Sequence, residues 1–212
     1  MITVLIFLLM AVLSYVLGGF NGAILLSKWV VRGDVRKQGS GNAGLTNYTR
    51  TYGWKTAPLM IFIDVAKTVI AILLSSWLAK TYLQNAMLGR YWSMLWVSIG
   101  HDFPMLFGFK GGKGILTCGT ALVMLDWRIA VIGFGAFFLG VLLTRYVSFG
   151  SILACISLPI STAIFMRSNP AFWWLLLIGC VTAGIAIWGH RTNISRLLSG
   201  TENKLKFHRN KE

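Results

Sequence analysis

The chain alternates between long apolar runs and short polar stretches, and the apolar runs are continuous rather than striped. Ile2–Leu26 carries no charged side chain. Comparable runs cover about Ala57–Ala79, Tyr91–Phe107, Ile129–Thr144, Val147–Phe165 and Pro170–Gly189, with a shorter one at Gly114–Leu125. Runs that are apolar all round predict helices surrounded by lipid or by other helices. Gly114–Leu125 would give about 18 Å of helix, so it must start near Phe109 or lie half buried. The pattern predicts an all-α membrane protein with seven transmembrane helices, one domain over residues 1–212. In the second run, Asp64 and Lys67 stand three apart, on one helix face. An unpaired charge at mid-bilayer costs about 2.5–3.5 kcal/mol, so a structural ion pair is expected.

Seven crossings put the polar stretches after the first, third, fifth and seventh runs on one side. Lys28, Arg32, Arg36, Lys37, Arg50, Lys55, Lys110, Lys113, Arg145 and the basic tail lie there, against Lys80, Arg90, Arg128 and Arg167 on the other. The positive-inside rule makes the richer side cytoplasmic, with the N-terminus outside and the C-terminus in the cytoplasm. The net charge of +14 would suggest nucleic acid in a soluble protein. In a membrane protein it sets orientation and touches anionic lipid, and no nucleic-acid partner is expected. Met1–Leu26 lacks the basic start of a signal peptide and is expected to remain as the first span. Cys118, Cys155 and Cys180 fall in apolar runs and read as buried thiols. The 6 acids form no cluster, so no metal site and no cofactor are expected.

The chemistry gathers in four polar stretches. The first is Gly39–Arg50, where three glycines can turn the backbone with φ > 0 and aim N–H groups at an anion. Gly39, Gly41 and Gly44 would form this cradle. Ser40, Asn42, Thr46 and Asn47 add neutral donors, and Arg50 a guanidinium. The alternative is a polar loop between two helices. Gly39–Gly44 also reads G-x-G-x-x-G with Asp64 twenty residues on, but a charged segment precedes it where a dinucleotide fold needs a strand. The second stretch is His101–Gly114, ending Lys110-Gly111-Gly112-Lys113-Gly114. It departs from a phosphate-binding P-loop, with Phe107 where Gly is required and Gly114 where Ser or Thr should follow the lysine. Lys110 and Lys113 read as point charges for a phosphate, or as a positive-inside anchor. His101 reads as a base candidate or a structural histidine. The third stretch, Arg145–Ser151, opens a span with a cation and the hydroxyls of Ser148 and Ser151; the plain reading is helix capping by Ser148. The fourth, His190–Lys204, carries His190 and Asn193 on one helical face, or forms a basic amphipathic tail on lipid. Asn47-Tyr48-Thr49 and Asn193-Ile194-Ser195 match glycosylation sequons that a cytoplasmic face would leave silent. Together the four offer many cations and neutral donors with no Ser-His-Asp, Cys-His or metal set. That suits two anionic substrates, at least one carrying an acyl chain.

Across these stretches, in this order, the chain resembles the bacterial integral-membrane glycerol-3-phosphate acyltransferases that use acyl phosphate. The resemblance covers essentially the whole chain and implies seven spans with the N-terminus outside. It implies acyl transfer from acyl phosphate to the 1-hydroxyl of sn-glycerol 3-phosphate, giving lysophosphatidate and phosphate at the bacterial inner membrane. By position, Ser40, Arg50, Lys113, Ser151 and Asn193 match residues that hold substrates and support catalysis, and His190 matches the family's histidine before that asparagine. An acyl phosphate is already activated, so the nucleophile's proton is expected to pass to a substrate phosphate oxygen. The His-x4-Asp signature of the other acyltransferase class is absent: Leu106 and Ser195 stand five after His101 and His190. Gly18-Gly19-Phe20-Asn21-Gly22 replaces the family's Gly-Ser-Ile-Pro-like residues. Leu45, Thr192 and Ile115-Leu116 stand where Ala, Glu and Val-Ala are usual. The rivals are a transporter for a phosphorylated solute, which needs polar residues on the outer side, a paralogue with another acceptor, and a metal-dependent phosphatidyl transferase, which needs an acidic cluster.

Overall fold

The structure is a computed structural model that describes residues 1–205; the tail charges Lys206, Arg209 and Lys211, and His208, lie outside the described residues. Every regular element among the described residues is helical. The helices are α1 (Ile2–Gly18), α2 (Gly22–Trp29), α3 (Leu45–Tyr52), α4 (Ala57–Leu83), α5 (Ala86–Asp102), α6 (Ile115–Leu125), α7 (Trp127–Thr144), α8 (Val147–Phe165), α9 (Phe172–Gly189) and α10 (Arg191–Leu198). Two 3-10 turns, Val35–Lys37 and Met105–Phe107, shape the long loops.

The first apolar run is not one helix. It stops at Gly18 and restarts at Gly22, where the Asn21 side chain accepts a hydrogen bond from the Ile24 N–H at 3.1 Å and caps α2. The second run extends past Ala79 to Leu83 and ends at Gln84 with φ +56°. The third starts at Ala86, capped by Asn85, and stops at Asp102 rather than Phe107. Pro104 explains the early stop, because a proline keeps the preceding residue out of the helical region, and Phe103 has φ −126°. Asp126 both ends α6 and caps α7.

Five segments among the described residues are long and apolar enough to cross a membrane: Ile2–Trp29 with its break, α4, α7, α8 and α9. The 17 residues of α5 span about 25 Å, and the 11 of α6 about 16 Å. Large apolar side chains cover the outside, among them Leu8, Trp77, Leu142 and Trp173, as expected of a surface solvated by hydrocarbon.

Helix α5 is the hub, packed against α1, α4, α6 and α9. Without a hydrophobic force between helices in lipid, close backbone approach and interhelical hydrogen bonds hold such a bundle. Both occur here. A Cβ on Gly18 or Gly100 would run into the backbone of Val97 or Tyr15 across the α1–α5 contact. The buried Ser14 hydroxyl lies 2.8 Å from that of Ser93 and 3.2 Å from that of Ser75, joining α1, α5 and α4. The Tyr91 and Thr162 hydroxyls, 2.7 Å apart, tie α5 to α8.

Gly100→Ala should therefore destabilise the protein by about 1–3 kcal/mol through overpacking, read as a lower thermal midpoint in detergent. Gly135, with nothing within 4 Å of an added Cβ, is the control: Gly135→Ala should leave the midpoint unchanged or raise it.

Candidate active site

The site is built around the break between α1 and α2. Ending a helix inside the bundle strands backbone groups, and two charged side chains of α4 collect them. The buried Lys67 ammonium donates to the carbonyls of Gly18 at 3.0 Å and Phe20 at 3.1 Å, and to Asp64 Oδ1 at 2.7 Å. Asp64 Oδ1 in turn accepts from the Gly22 N–H at 3.1 Å. The expected ion pair is present, and it also satisfies the broken helix. His101 joins it, with Nδ1 2.8 Å from Lys67 Nζ. At 3% exposure, His101 is a buried structural partner that shows one edge to the cavity described below.

The glycine-rich loop is shaped by Asn47. Its carbonyl oxygen accepts from the Ser40 N–H at 3.0 Å, and its amide nitrogen reaches the carbonyls of Val35, Gln38 and Asn42 at 3.0–3.1 Å. Buried and fully engaged, Asn47 forms the loop rather than offering a free donor. Gly39 and Gly41 take positive φ, as the spacing predicts. Gly44 does not: at φ −135° it is the extended residue that precedes α3. It has no side chain to cap the helix, which leaves the first N–H groups of α3 open to an anion. Thr46 and Arg50, one turn apart on α3, face the same space.

The cationic loop is pinned beside it. Gly111 N–H donates to the Asp102 carbonyl at 3.0 Å, Gly112 N–H to the His101 carbonyl at 3.2 Å, and Ala43 N–H to the Gly111 carbonyl at 3.4 Å. A Cβ at Gly112 would collide with the His101 ring and the Ala43 carbonyl, so only glycine fits. Arg36, read from sequence only as an orienting charge, bridges the loops. It pairs with Asp34 and donates to the Phe107 carbonyl at 2.6 Å. The Arg36 guanidinium holds the Asp34 carboxyl down to about 2.

Lys113 reaches across to Asn193 Oδ1 on α10. The Asn193 amide donates to Glu202 at 3.0 Å, and Glu202 pairs with Arg196 at 2.7 Å. Burial and the nearby Arg196 charge push the Lys113 ammonium down to about 8. His190 hydrogen-bonds through Nδ1 to the Ala186 carbonyl at 2.8 Å. Burial lowers its pKa to about 4, so it is neutral, its Nε2 left as an acceptor. On α8, Ser151 Oγ donates to the Val147 carbonyl at 2.9 Å. Ser148 does not cap the helix; its buried Oγ has no hydrogen-bond partner among the described residues.

One cavity of about 600 Å³ brings these groups together. Ser40, Asn42, Gly44, Thr46 and Arg50 line one wall, Lys113, His190 and Asn193 another, and Ser148 and Ser151 a third; Asn47 and His101 show one edge. Away from this polar end the lining is apolar, with Leu122, Val123, Phe134, Phe137 and Phe138 from α6 and α7. Val123 and Phe138 are 56% and 63% exposed, so this arm opens on the flank of the bundle. Five expected residues do not line the cavity. Gly41, Lys110 and Gly112 face a second space of about 260 Å³ behind the cationic loop. Gly39 supports the loop from outside. Arg145 ends α7 in the left-handed region at φ +61°, and its carbonyl accepts from the Leu205 N–H at 2.7 Å. Sequence reading missed Asn21, Arg36, Arg196 and Glu202 as parts of the site. The available signal was the place of Arg196 and Glu202 inside the fourth polar stretch, of Arg36 just before the first, and of Asn21 beside the Gly-Gly pair.

A cavity with a cationic, amide-rich end and an apolar arm opening sideways has the chemistry to take an amphiphilic anion. Residues 8–200 match the family model for glycerol-3-phosphate acyltransferase. Glycerol-3-phosphate acyltransferases from Thermoanaerobacter pseudethanolicus and Clostridioides difficile are 37% and 35% identical, over 93% and 94% of this chain and 94% and 95% of theirs. The crystal structure of PlsY, an integral membrane glycerol 3-phosphate acyltransferase, in its glycerol 3-phosphate form superposes with TM-score 0.80 at 32% identity. It covers 94% of this chain and 96% of that one. Its lysophosphatidic acid form gives 0.78 at 31% identity. The chain belongs to the glycerol-3-phosphate acyltransferase family, PlsY type. It is a multi-pass membrane acyltransferase.

If Lys113 binds an anionic substrate, its lowered pKa sets an alkaline limit to activity. Its charge is complete well below pH 8 and is lost as pH rises through about 8. The kcat/KM for an anionic substrate should fall across that range, because this parameter reports the free enzyme. Lys113→Arg, whose guanidinium stays charged, should flatten the fall, as measured by initial rates between pH 6.5 and 9.5.

Proposed function

We propose that this protein transfers an acyl group from acyl phosphate to the 1-hydroxyl of sn-glycerol 3-phosphate, giving lysophosphatidate and inorganic phosphate. The observation that carries the reading is the single cavity in which an apolar arm meets cations and amide donors. A fatty acyl chain fits the arm, and the phosphates fit the polar end. The hydroxyl oxygen attacks the acyl carbonyl, the bond from carbonyl carbon to phosphate oxygen breaks, and the hydroxyl proton passes to a phosphate oxygen. The donor is a mixed anhydride with a good leaving group, so positioning and charge stabilisation supply much of the acceleration. Lys113 and Arg50 neutralise phosphate charge. Ser40, Ser151 and Asn193 orient the reactants, with Asn42, Gly44, Thr46 and Ser148 as further donors. Neutral His190 can accept a hydrogen bond from an acceptor hydroxyl.

The same reading makes residues 1–212 one catalytic domain with seven crossings, α5 and α6 completing the five longer spans. It puts the N-terminus outside and the site on the cytoplasmic face of the bacterial inner membrane. The bias of cations toward the two loops, α10 and the tail supports this orientation.

Purified protein given palmitoyl phosphate should release phosphate only when glycerol 3-phosphate is present. Lys113→Ala should lose about 1,000-fold in that rate, the scale of one preorganised electrostatic donor. His101→Ala should lose far less, because no protein base is required. A His101→Ala enzyme that keeps the parent's thermal midpoint and loop protection yet is as inactive as Lys113→Ala would overturn the substrate-base step. Acceptor-independent release, or none, would overturn the acyl transfer itself and direct attention to flux of labelled glycerol 3-phosphate into liposomes.

A further inference from the structure

Asn21 stands at the one point where the broken span, the buried charges and both anion-binding loops touch. It is completely buried, and its side chain makes two hydrogen bonds and one close contact. The carbonyl oxygen accepts from the Ile24 N–H and starts α2. The amide nitrogen donates to the Ala43 carbonyl at 3.1 Å, inside the glycine-rich loop. The same nitrogen packs 3.3 Å from His101 Nε2; because Lys67 can only donate to Nδ1, the ring proton is on Nε2, and this is packing rather than a hydrogen bond. Ala43 and His101 are also the two residues that close on Gly112: an added Cβ there would meet the Ala43 carbonyl at 2.7 Å and collide with the His101 ring. The next residue is Lys113. Asn21 is thus two contacts from the cation at the polar end of the cavity, and one from the loop that carries Ser40 and Asn42. Its neighbours are themselves fixed. Lys67 holds His101 from one side and the carbonyls of Gly18 and Phe20 from the other.

We propose that Asn21 is a positioning residue for acyl transfer: through its hydrogen bond to Ala43 and its packing on His101 it sets the distance between the glycine-rich loop and the Gly112–Lys113 loop. The break in the first span has a use on this view. At this break the Asn21 side chain both caps the restarted helix and donates to Ala43; a proline, with neither a side-chain acceptor nor a donor, could do neither. The activity readout rests on the acyl-transfer reading above, and a second readout is independent of it.

The discriminating variant is Asn21→Ser. Serine caps a helix as well as asparagine does, but its hydroxyl is too short to bridge Ala43 and His101. A residue that merely starts α2 would tolerate the exchange. A positioning residue would not, and an error of about 1 Å in placing reactants can cost about 100-fold. With palmitoyl phosphate and glycerol 3-phosphate, kcat of Asn21→Ser should fall about 10- to 100-fold while both KM values stay within about threefold, the mark of an interaction lost at the transition state. The thermal midpoint in detergent should stay within a few degrees of the parent. Amide hydrogen exchange in residues 39–46 and 108–114 should accelerate, with exchange in α7 and α8 unchanged. Parent-like kcat and parent-like loop exchange in Asn21→Ser would overturn the proposal, as would a loss of rate that only tracks loss of folded protein. If the parent itself releases no phosphate, the donor reading falls; the loop exchange then decides the positioning role alone, and unchanged protection overturns it.

Discussion

One ammonium group holds this structure at its weakest point. A helix broken inside a membrane protein leaves carbonyls that water cannot reach, and each unsatisfied group costs several kcal/mol. Lys67 answers for two of them, Gly18 and Phe20. A lone buried cation would be no better than the carbonyls it serves, so Asp64 lies 2.7 Å away and uses the same oxygen to accept from the restarted helix at Gly22. Removing one partner of such a pair leaves an uncompensated charge and is far more damaging than the net worth of the pair suggests.

The rest of the site is assembled outward from that point by backbone carbonyls and amides. His101 ties Lys67 to the cationic loop, the cationic loop pairs with Ala43, and Asn47 winds the glycine-rich loop around its own side chain. Charged groups occupy the outer layer, where Arg36 fastens one loop to the other and Glu202 arrays Asn193 and Arg196 around Lys113. On the acyl-transfer reading the substrates carry phosphate charge, and such a site gains from this ordering, because unpaired cations repel one another.

Much of this was legible in the chain. Uniformly apolar runs announced α4, α7, α8 and α9 to within a few residues, since a helix in lipid needs both length and apolarity. Spacing announced the Asp64–Lys67 pair. The four polar stretches named most of the polar residues that line the cavity, because a cation or amide gathered with glycines at the end of an apolar run stands out from its surroundings. What escaped was context. The break at Gly19–Asn21 sat inside a run whose hydropathy hid it, and only Asn21, a capping residue amid apolar neighbours, marked it. Asn47 and Ser40 read alike as donors, yet one is consumed by backbone and the other faces the cavity. Arg145 looked like a ligand by its company and ends a helix instead. Gly44 belonged to a glycine pattern without needing a positive φ.

The sideways opening beside Val123 and Phe138 changes what concentration means for this protein. A substrate whose chain enters there is dissolved in a sheet, not in a volume. For the acyl-transfer reading, encounters then depend on how many donor molecules share a given area of leaflet, and diluting the membrane with inert lipid slows them as dilution with water cannot. On the same reading, an acylated product that leaves by that flank enters the leaflet without crossing the aqueous phase.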